Sequence, residues 1–312
     1  MTNIIEAINR DLIKQELNDD TFVRRTNNGN KEIFIFDHRS APNTLKEIGR
    51  LREISFRDAG GGTGKELDID KYDTSNIPFK QLIVWDPEQE EIVGGYRFLE
   101  GHEILKSGFD NPSTPTSHLF EMSDEFKRDY LPFTIELGRS FVQPLYQPNY
   151  NLRKGIYSLD NLWDGLGSLI VQQPKMKFFG GKFTMYPNFN EEAHDIIHCF
   201  LNYHFEDKDN LLTPLYRLGY KTDKIKDIQK LFPTKDYLAN YKTLNHSIRN
   251  LGENIPPMVN AYMNLSPTMK YFGTSLNSNF GDVEESGILI TINDIYDGKK
   301  ERHVNNIIKE RI

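Results

Sequence analysis

The patterning of these 312 residues predicts one mixed α/β domain with an extension at each end. Three observations carry that expectation. Residues 81–86 (QLIVWD) and 92–99 (IVGGYRFL) flank a PEQEE turn and read as an antiparallel hairpin set centrally in a sheet. Residues 134–142 (TIELGRSFV) and 177–185 (KFFGGKFTM) read as two further strands. Helical patterns at 156–171 and 190–205 alternate with them, so the order runs strand, strand, strand, helix, strand, helix.

The elements follow in chain order. Residues 2–17 are amphipathic and predict a helix, and EIFIFD (32–37) a strand, because its apolar positions are consecutive or alternating. A helix over 43–56 places Leu45, Ile48, Leu51 and Ile54 or Ser55 on one face. The stretch 59–79 is polar and irregular. Gly108, Pro112 and Pro115 make 100–118 a loop, and FEMSDEFKRDY (120–130) a short amphipathic helix. In 156–171, Leu159, Leu162, Trp163, Leu166 and Ile170 recur at helical spacing, and in 190–205 Ala193, Ile196, Ile197, Phe200 and Leu201 do the same. Beyond Leu211 a charged, mostly helical stretch runs to about Gly252, followed by IPPMVNAYMNL and a last strand at 286–294. The expected division is an N-terminal extension (1–40), a core (41–210) and a mostly helical C-terminal extension (211–312) whose final strand packs on the core.

Composition excludes several classes. Hydrophobic residues at 38% and charged residues at 27% describe an ordinary soluble protein. No run approaches the roughly 20 apolar residues that cross a bilayer. The N-terminus carries acidic residues early and lacks the apolar run of a secretory signal, so the expected location is cytoplasmic, with membrane association as the alternative. A net charge of −7 argues against a nucleic-acid partner, which demands a basic face. The single cysteine, Cys199, rules out an internal disulfide and a multi-thiolate metal site, and its neighbours Ile197, Phe200 and Leu201 suggest a core position.

The run TIELGRSFVQPLYQ, followed by RKGIYSLDNLWDGLGSLI and FFGGKFTM, resembles the core of the GNAT acyltransferases. More narrowly it is similar to the branch that makes N-acyl amino acids, the ornithine- and glycine-lipid synthases often labelled hemolysin-like, and more distantly to the acyl-homoserine-lactone synthases. LREISFRD (51–58), ELDIDKYD (66–73) and IPPMVNAYMNLSPTMKYFG (255–273) agree in order, so the likeness spans roughly 44–294. It implies a twisted mixed sheet that splays open between its fourth and fifth strands, here 134–142 and 177–185, with an acyl-pantetheine arm entering the gap beside Phe179. The usual phosphate loop of these enzymes is reduced here to LRKGIYS (152–158) with one glycine. That departure favours acyl carrier protein, whose phosphopantetheine brings a single phosphate, over coenzyme A as donor; Arg153, Lys154 and Gly155 would receive it at a helix start. No tightly bound cofactor is implied.

Thioester aminolysis needs a neutral amine, a held oxyanion and a proton for the thiolate. Glu136, between Ile135 and Leu137 on a central strand, is the candidate base, since burial raises a carboxylate's pKa toward the useful range; a structural Glu–Arg pair reads equally well from spacing alone. Period-two alternation puts Glu136 and Arg139 on opposite faces, and a bulge at Gly138, as the resemblance implies, would bring them together. Such a bulge also frees a main-chain N–H, at Phe141 or Val142, as oxyanion donor. For the carboxylate of an amino-acid acceptor the planar guanidinium suits best; Arg139 is the first choice, with Arg52, Arg57 and Arg97 as alternatives. Asp68, Asp70 and Asp73 match acids that position the amine in the lactone-synthase branch, although a charge run by itself reads as a solvated face.

Other motifs carry less. GGGTGK (60–65) lacks the preceding strand and the Ser/Thr of a phosphate loop and suggests a flexible glycine loop near the substrate. His194 and His198 stand four apart as in H-E-x-x-H, but Asp195 replaces the Glu and no third ligand is evident, so no metal site is expected. His204 and Asp209 fit H-x-x-x-x-D spacing in the wrong, charged context. No G-x-S-x-G is present, which leaves a serine hydrolase unsupported. Basic residues in 297–311 suit a solvated terminal helix, with acidic carrier protein or membrane headgroups as alternative contacts. The leading expectation is transfer of a long-chain, 3-hydroxy or plain, acyl group from acyl carrier protein to glycine. The alternatives are ornithine as acceptor, a lactone-type synthase using S-adenosylmethionine, and a membrane-active hemolysin.

Overall fold

A computed structural model describes residues 1–307; residues 308–312, the end of the basic terminal stretch, lie outside the described residues. Ten strands are present among them: β1 (Phe22–Arg25), β2 (Glu32–Phe36), β3 (Lys80–Asp86), β4 (Glu91–Glu100), β5 (Phe120–Met122), β6 (Thr134–Val142), β7 (Phe178–Met185), β8 (Leu212–Pro214), β9 (Lys270–Asn277) and β10 (Val283–Thr291). Eight of them form one sheet in the order β1-β2-β3-β4-β6-β7-β10-β9, while β5 and β8 pair apart. Every neighbouring pair is antiparallel except β6–β7, which is parallel, so the sheet is mixed as expected.

One face of the sheet carries the helices Ser158–Gln172 and Glu191–Phe205 over a large apolar core that includes Leu82, Phe98, Ile135, Phe179 and Phe200. In the first, Leu162 and Leu166 are at most 1% exposed while Leu159, Trp163 and Ile170 are half-buried; in the second, Ala193, Ile196, Ile197, Phe200 and Leu201 are all buried. Gly165 lets the first helix sit directly on β3, because a Cβ there would lie 2.5 Å from Leu82. On the opposite face the helix Pro42–Asp58 packs Ile48, Leu51 and Phe56 against Ile83, Trp85 and Phe141. A third apolar cluster on that face gathers Phe79, Leu99, Phe120, Leu131, Phe272 and Leu289. Between these two clusters the opposite face turns polar, and there the charged candidates collect.

Several expectations need correction. Helix 2–17 shrinks to Arg10–Glu16: Asn9 caps it, and Thr2 and Ile5 donate their N–H groups to the carbonyls of Gly64 and Glu66 instead. The short helix expected over 120–130 is present but begins later and is wide, of π type over Phe126–Tyr130, because Phe120–Met122 form β5 and pair with β8. The stretch 211–312, expected to be mostly helical with one final strand, contributes β8, β9 and β10. β9 escaped notice because Gly273 takes φ +83° and its buried Thr274 and Ser275 break the apolar pattern; Thr274 lies within hydrogen-bond distance (2.8 Å) of Ser286 on β10. β1 was hidden by its turn residues and pairs only with β2 at the sheet edge.

Candidate active site

Strand β7 is paired unequally along its two edges. With β10 it pairs through all eight residues, Phe178 to Met185. With β6 it pairs at three positions only, Thr134–Phe178, Ile135–Phe179 and Glu136–Gly180. From Leu137 onward β6 follows β4 alone, so the two strands part over the remaining six residues of β6, a wedge about 20 Å long at ~3.3 Å per residue. Gly180 and Gly181 sit at the fork. A Cβ on Gly180 would meet Thr134 Cγ2 at 2.8 Å and one on Gly181 the carbonyl oxygen of Leu137 at 2.9 Å, so only glycine permits this approach. Two clefts open beside them, of about 330 and 300 Å3 with their open mouths included. Tyr96, Leu137, Ser140, Phe179, Lys182 and Tyr262 line the first; Thr116, Phe126, Thr134, Glu136 and Leu212 line the second.

Strand β6 contains the bulge. Arg97 faces Gly138 and Gly95 faces Phe141, so Arg139 and Ser140 together oppose Tyr96. The extra residue lies at Arg139–Ser140 rather than at Gly138, and Arg139 takes φ +48° to accommodate it. The effect is the anticipated one: Arg139 turns to the face that holds Phe280 and Asp68, the face of Glu136 and Gly138. The amide directions also follow. Gln143 N–H donates to Val93 C=O, and successive residues of an antiparallel strand point their amides to opposite sides. Val142, opposite Gly94, therefore aims its amide away from β4 and toward the wedge, and its carbonyl accepts from Gln147 Nε2 at 2.8 Å. Phe141 turns its amide the other way, toward β4.

The three aspartates are not a solvated charge run. Asp68 is 1% and Asp73 0% exposed, because each faces a guanidinium. Arg97 Nη1 donates to Asp70 Oδ1 at 2.8 Å and to Asp73 Oδ2 at 3.0 Å. Arg52 Nη1 meets Asp73 Oδ1 at 3.3 Å, and its Nη2 donates to Gln81 Oε1 at 2.6 Å. Arg139 Nε lies 2.8 Å from Asp68 Oδ2. Burial alone pushes the Asp73 carboxyl up, but Arg97 and Arg52 outweigh it and hold it well below the usual carboxylate range. Asp68 is the reverse case, where burial wins over Arg139 and Arg52 and the carboxyl is raised. The Arg52 and Arg97 side chains are at most 2% exposed, whereas the Arg139 side chain keeps 18% and lies 4.2 Å over the Phe280 ring.

Glu136, 4% exposed, accepts a hydrogen bond from the Thr116 N–H at 3.1 Å and lines the second cleft. Two residues beyond its partner Gly180 on β7, Lys182 is loosely held, 3.5 Å from both Glu285 and Thr116 Oγ1. Spacing did not single out Thr116, Ser140, Lys182 or Glu285. Lys182 had a weak signal, a lone cation in an apolar strand; Thr116 lies in a loop and had none.

The remaining candidates lie elsewhere. Arg57 is spent bracing the chain, pairing with Glu53 at 2.7 Å and donating to the Thr2 and Lys65 carbonyls. The GGGTGK loop is tied down rather than free: Thr63 N–H, Thr63 Oγ1 and Gly64 N–H all donate to the Glu53 carboxylate, which takes the place of an external anion. Arg153 is exposed, Lys154 lies 5.0 Å over the Tyr146 ring, and Gly155 backs onto the Gln147–Pro148 main chain, all at the mouth of the β6-to-helix connection. Tyr157 offers no side-chain cap to the helix that follows. His204 bonds Asn240 while Asp209 pairs with Lys270, so these two do not form a unit.

Comparison with known proteins is decisive at this point. The glycine N(alpha)-acyltransferase of Phocaeicola vulgatus is 51% identical over 310 residues, 99% of this chain and 95% of its own. The protein of the same name from Bacteroides thetaiotaomicron is 51% identical over 309 residues, 99% of this chain and 91% of its own. Residues 51–154 match the acetyltransferase (GNAT) domain family. The chain is an acyltransferase of the GNAT family. In this acyltransferase the matched stretch runs from the helix bearing Arg52 through β3, β4 and β6 to Lys154, and so contains the aspartate–arginine cluster, Glu136 and the bulge. The crystal structure of the AHL synthase LasI aligns over 49% of this chain and 72% of its own, at 16% identity and a TM-score of 0.26.

Proposed function

We propose that this acyltransferase moves a long-chain acyl group, a 3-hydroxyacyl chain included, from acyl carrier protein to the α-amino group of glycine, the first step toward an amino-acid lipid. The name shared by two relatives at 51% identity over nearly the whole chain supports glycine. The observation that carries the chemistry is the wedge between β6 and β7, with a buried carboxylate at its closed end and an amide aimed into it. The acyl-pantetheine thioester lies in the wedge along Phe179 and Gly181. Its phosphate meets Arg153 and Lys154 beside Gly155, a set that suits one phosphate and leaves coenzyme A as the alternative donor.

Glu136 takes a proton from the glycine ammonium, and the free amine attacks the thioester carbonyl carbon. The carbonyl electrons move onto oxygen, where the Val142 N–H holds the developing charge. Collapse breaks the C–S bond, the proton held on Glu136 passes to the departing thiolate, and the second proton of the attacking nitrogen leaves through the vacated Glu136 carboxylate to solvent, giving neutral amide, thiol and one released proton. Arg139, the only cluster arginine with free surface, meets the glycine carboxylate, while Asp68 fixes its guanidinium. Arg52, Arg97, Asp70 and Asp73 brace that pair from below.

The test supplies the purified enzyme with acyl carrier protein charged with a 3-hydroxyacyl chain, offers glycine, ornithine or S-adenosylmethionine, and follows thiol release with mass detection of product. N-acylglycine is the expected product. Turnover with ornithine alone would replace the acceptor, and thiol release with no amine at all would remove the aminolysis reading.

A further inference from the structure

The face of the sheet opposite Glu136 holds a second cluster of chemically capable side chains, one of them on β10 beside Met185, the last residue of β7. His194 and His198 project from one face of the helix Glu191–Phe205, four residues apart, with ring centroids 4.1 Å from each other. Glu284, on the helix-covered side of β10, completes a group in which one donor atom from each residue lies within 4.8 Å of the others. All three are buried, at 3%, 4% and 6% exposure.

The surroundings are those of orienting partners. His194 Nδ1 lies 3.1 Å from Asp195 Oδ1, and Asp195 is itself pinned by the Lys221 and Thr222 main-chain N–H groups. His194 Nε2 faces Glu284 Oε2. His198 Nδ1 lies 2.7 Å from the Tyr271 hydroxyl, which continues to Thr274 and Ser286. His198 Nε2 is left buried with no hydrogen-bond partner. A carboxylate on the far nitrogen of one imidazole and a hydroxyl on that of the other is the arrangement by which metal-binding histidines are held in the right tautomer. An orphaned buried imidazole nitrogen is costly unless something occupies it.

We propose that His194, His198 and Glu284 bind a divalent transition-metal ion, zinc by the match of two imidazoles and one carboxylate. Two carboxylates, Glu284 and Asp195, outweigh the single nearby cation, Lys221, whose ammonium lies 2.7 Å from Glu284 Oε1. With 23% of its side chain exposed, Lys221 swings into solvent as the ion enters. Zinc bonds of about 2.0–2.2 Å set tetrahedral neighbours ~3.3 Å apart, so the His194–Glu284 contact opens by less than about 1 Å on loading. The ion ties the helix to β10, and the next residue on that strand, Glu285, faces Lys182 across the sheet.

The test uses the full chain, freed of metal by chelator and titrated with cobalt(II). The expected result is one cobalt per chain with the intense visible bands of a tetrahedral nitrogen–oxygen site, displaced by zinc. His198→Gln is expected to abolish the bands, and Lys221→Gln, a change at a partly exposed side chain, to tighten cobalt binding at least tenfold. Spectra that stay those of the hydrated ion overturn the proposal. So do bands that survive in His198→Gln, or a Lys221→Gln protein that binds cobalt no more tightly than the parent; this last readout stands even where the histidine variant fails to fold.

Discussion

The two edges of β7 present the same strand in two roles. Toward β10 every position is paired, and the apolar residues Ile288 and Ile290 continue the core beneath it. Toward β6 the pairing stops after Gly180, and the residues beyond it line clefts instead of a ladder. The closed edge holds the sheet together; the open edge leaves main-chain groups without a strand partner, where the proposed thioester would lie. Leaving such groups without partners costs stability, and two glycines let the strands approach closely at the fork.

The sharpest way to break that contrast is to remove the chemistry from the open edge. Glu136→Gln should lower kcat by about 10²–10⁴ while leaving acyl-donor binding nearly unchanged; single-turnover thiol release measures it, and an unaltered rate excludes Glu136 as base. Filling the fork comes next. Gly181→Val should cost on the order of 10² in kcat/KM for the acyl donor by misplacing the thioester, with a thermal midpoint read alongside, and full activity would show that the arm lies elsewhere. Arg139→Lys, which keeps the charge and loses the fork of donors, should weaken kcat/KM for glycine by about tenfold without touching the donor; an effect on the donor alone would reassign that arginine.

The smallest effect concerns the braced end of the site. Asp73 has a carboxyl depressed by Arg97 and Arg52. Its stabilisation is therefore fully present above the unfolded aspartate's pKa of about 3.9 and is lost as pH falls below it, with a slope approaching 1.4 kcal/mol per pH unit. Urea melts across that acid range should show the slope in the parent and its reduction in Asp73→Asn; identical slopes would mean that Asp73 is not the group responsible.

Much of this was legible in the chain. β6 and β7 fall within one residue of their expected bounds, and the helices on either side follow from apolar spacing, because one-sided burial writes itself into a local period. The motif ELGRSF and the spacing of the aspartates marked the residues that cluster. Their partners were not legible. Nothing in ELDIDKYD says that Asp73 meets Arg52 and Arg97, from two other elements, so a buried network looked like a solvated run. The glycine loop likewise gave no sign that its amides were taken by Glu53.

Local pattern thus settled the class of fold, the strands that carry the site and the residue types the reaction needs, since each depends on neighbours a few positions away. The three-dimensional arrangement alone decided which arginine stays free, which amide faces the wedge and where the bulge lies. It also brought Glu284 to His194 and His198, ninety residues after the first of them. The physical reason is the same in each case: charge pairing and coordination act across space at a few ångströms, and chain order does not encode which distant segments arrive within that reach.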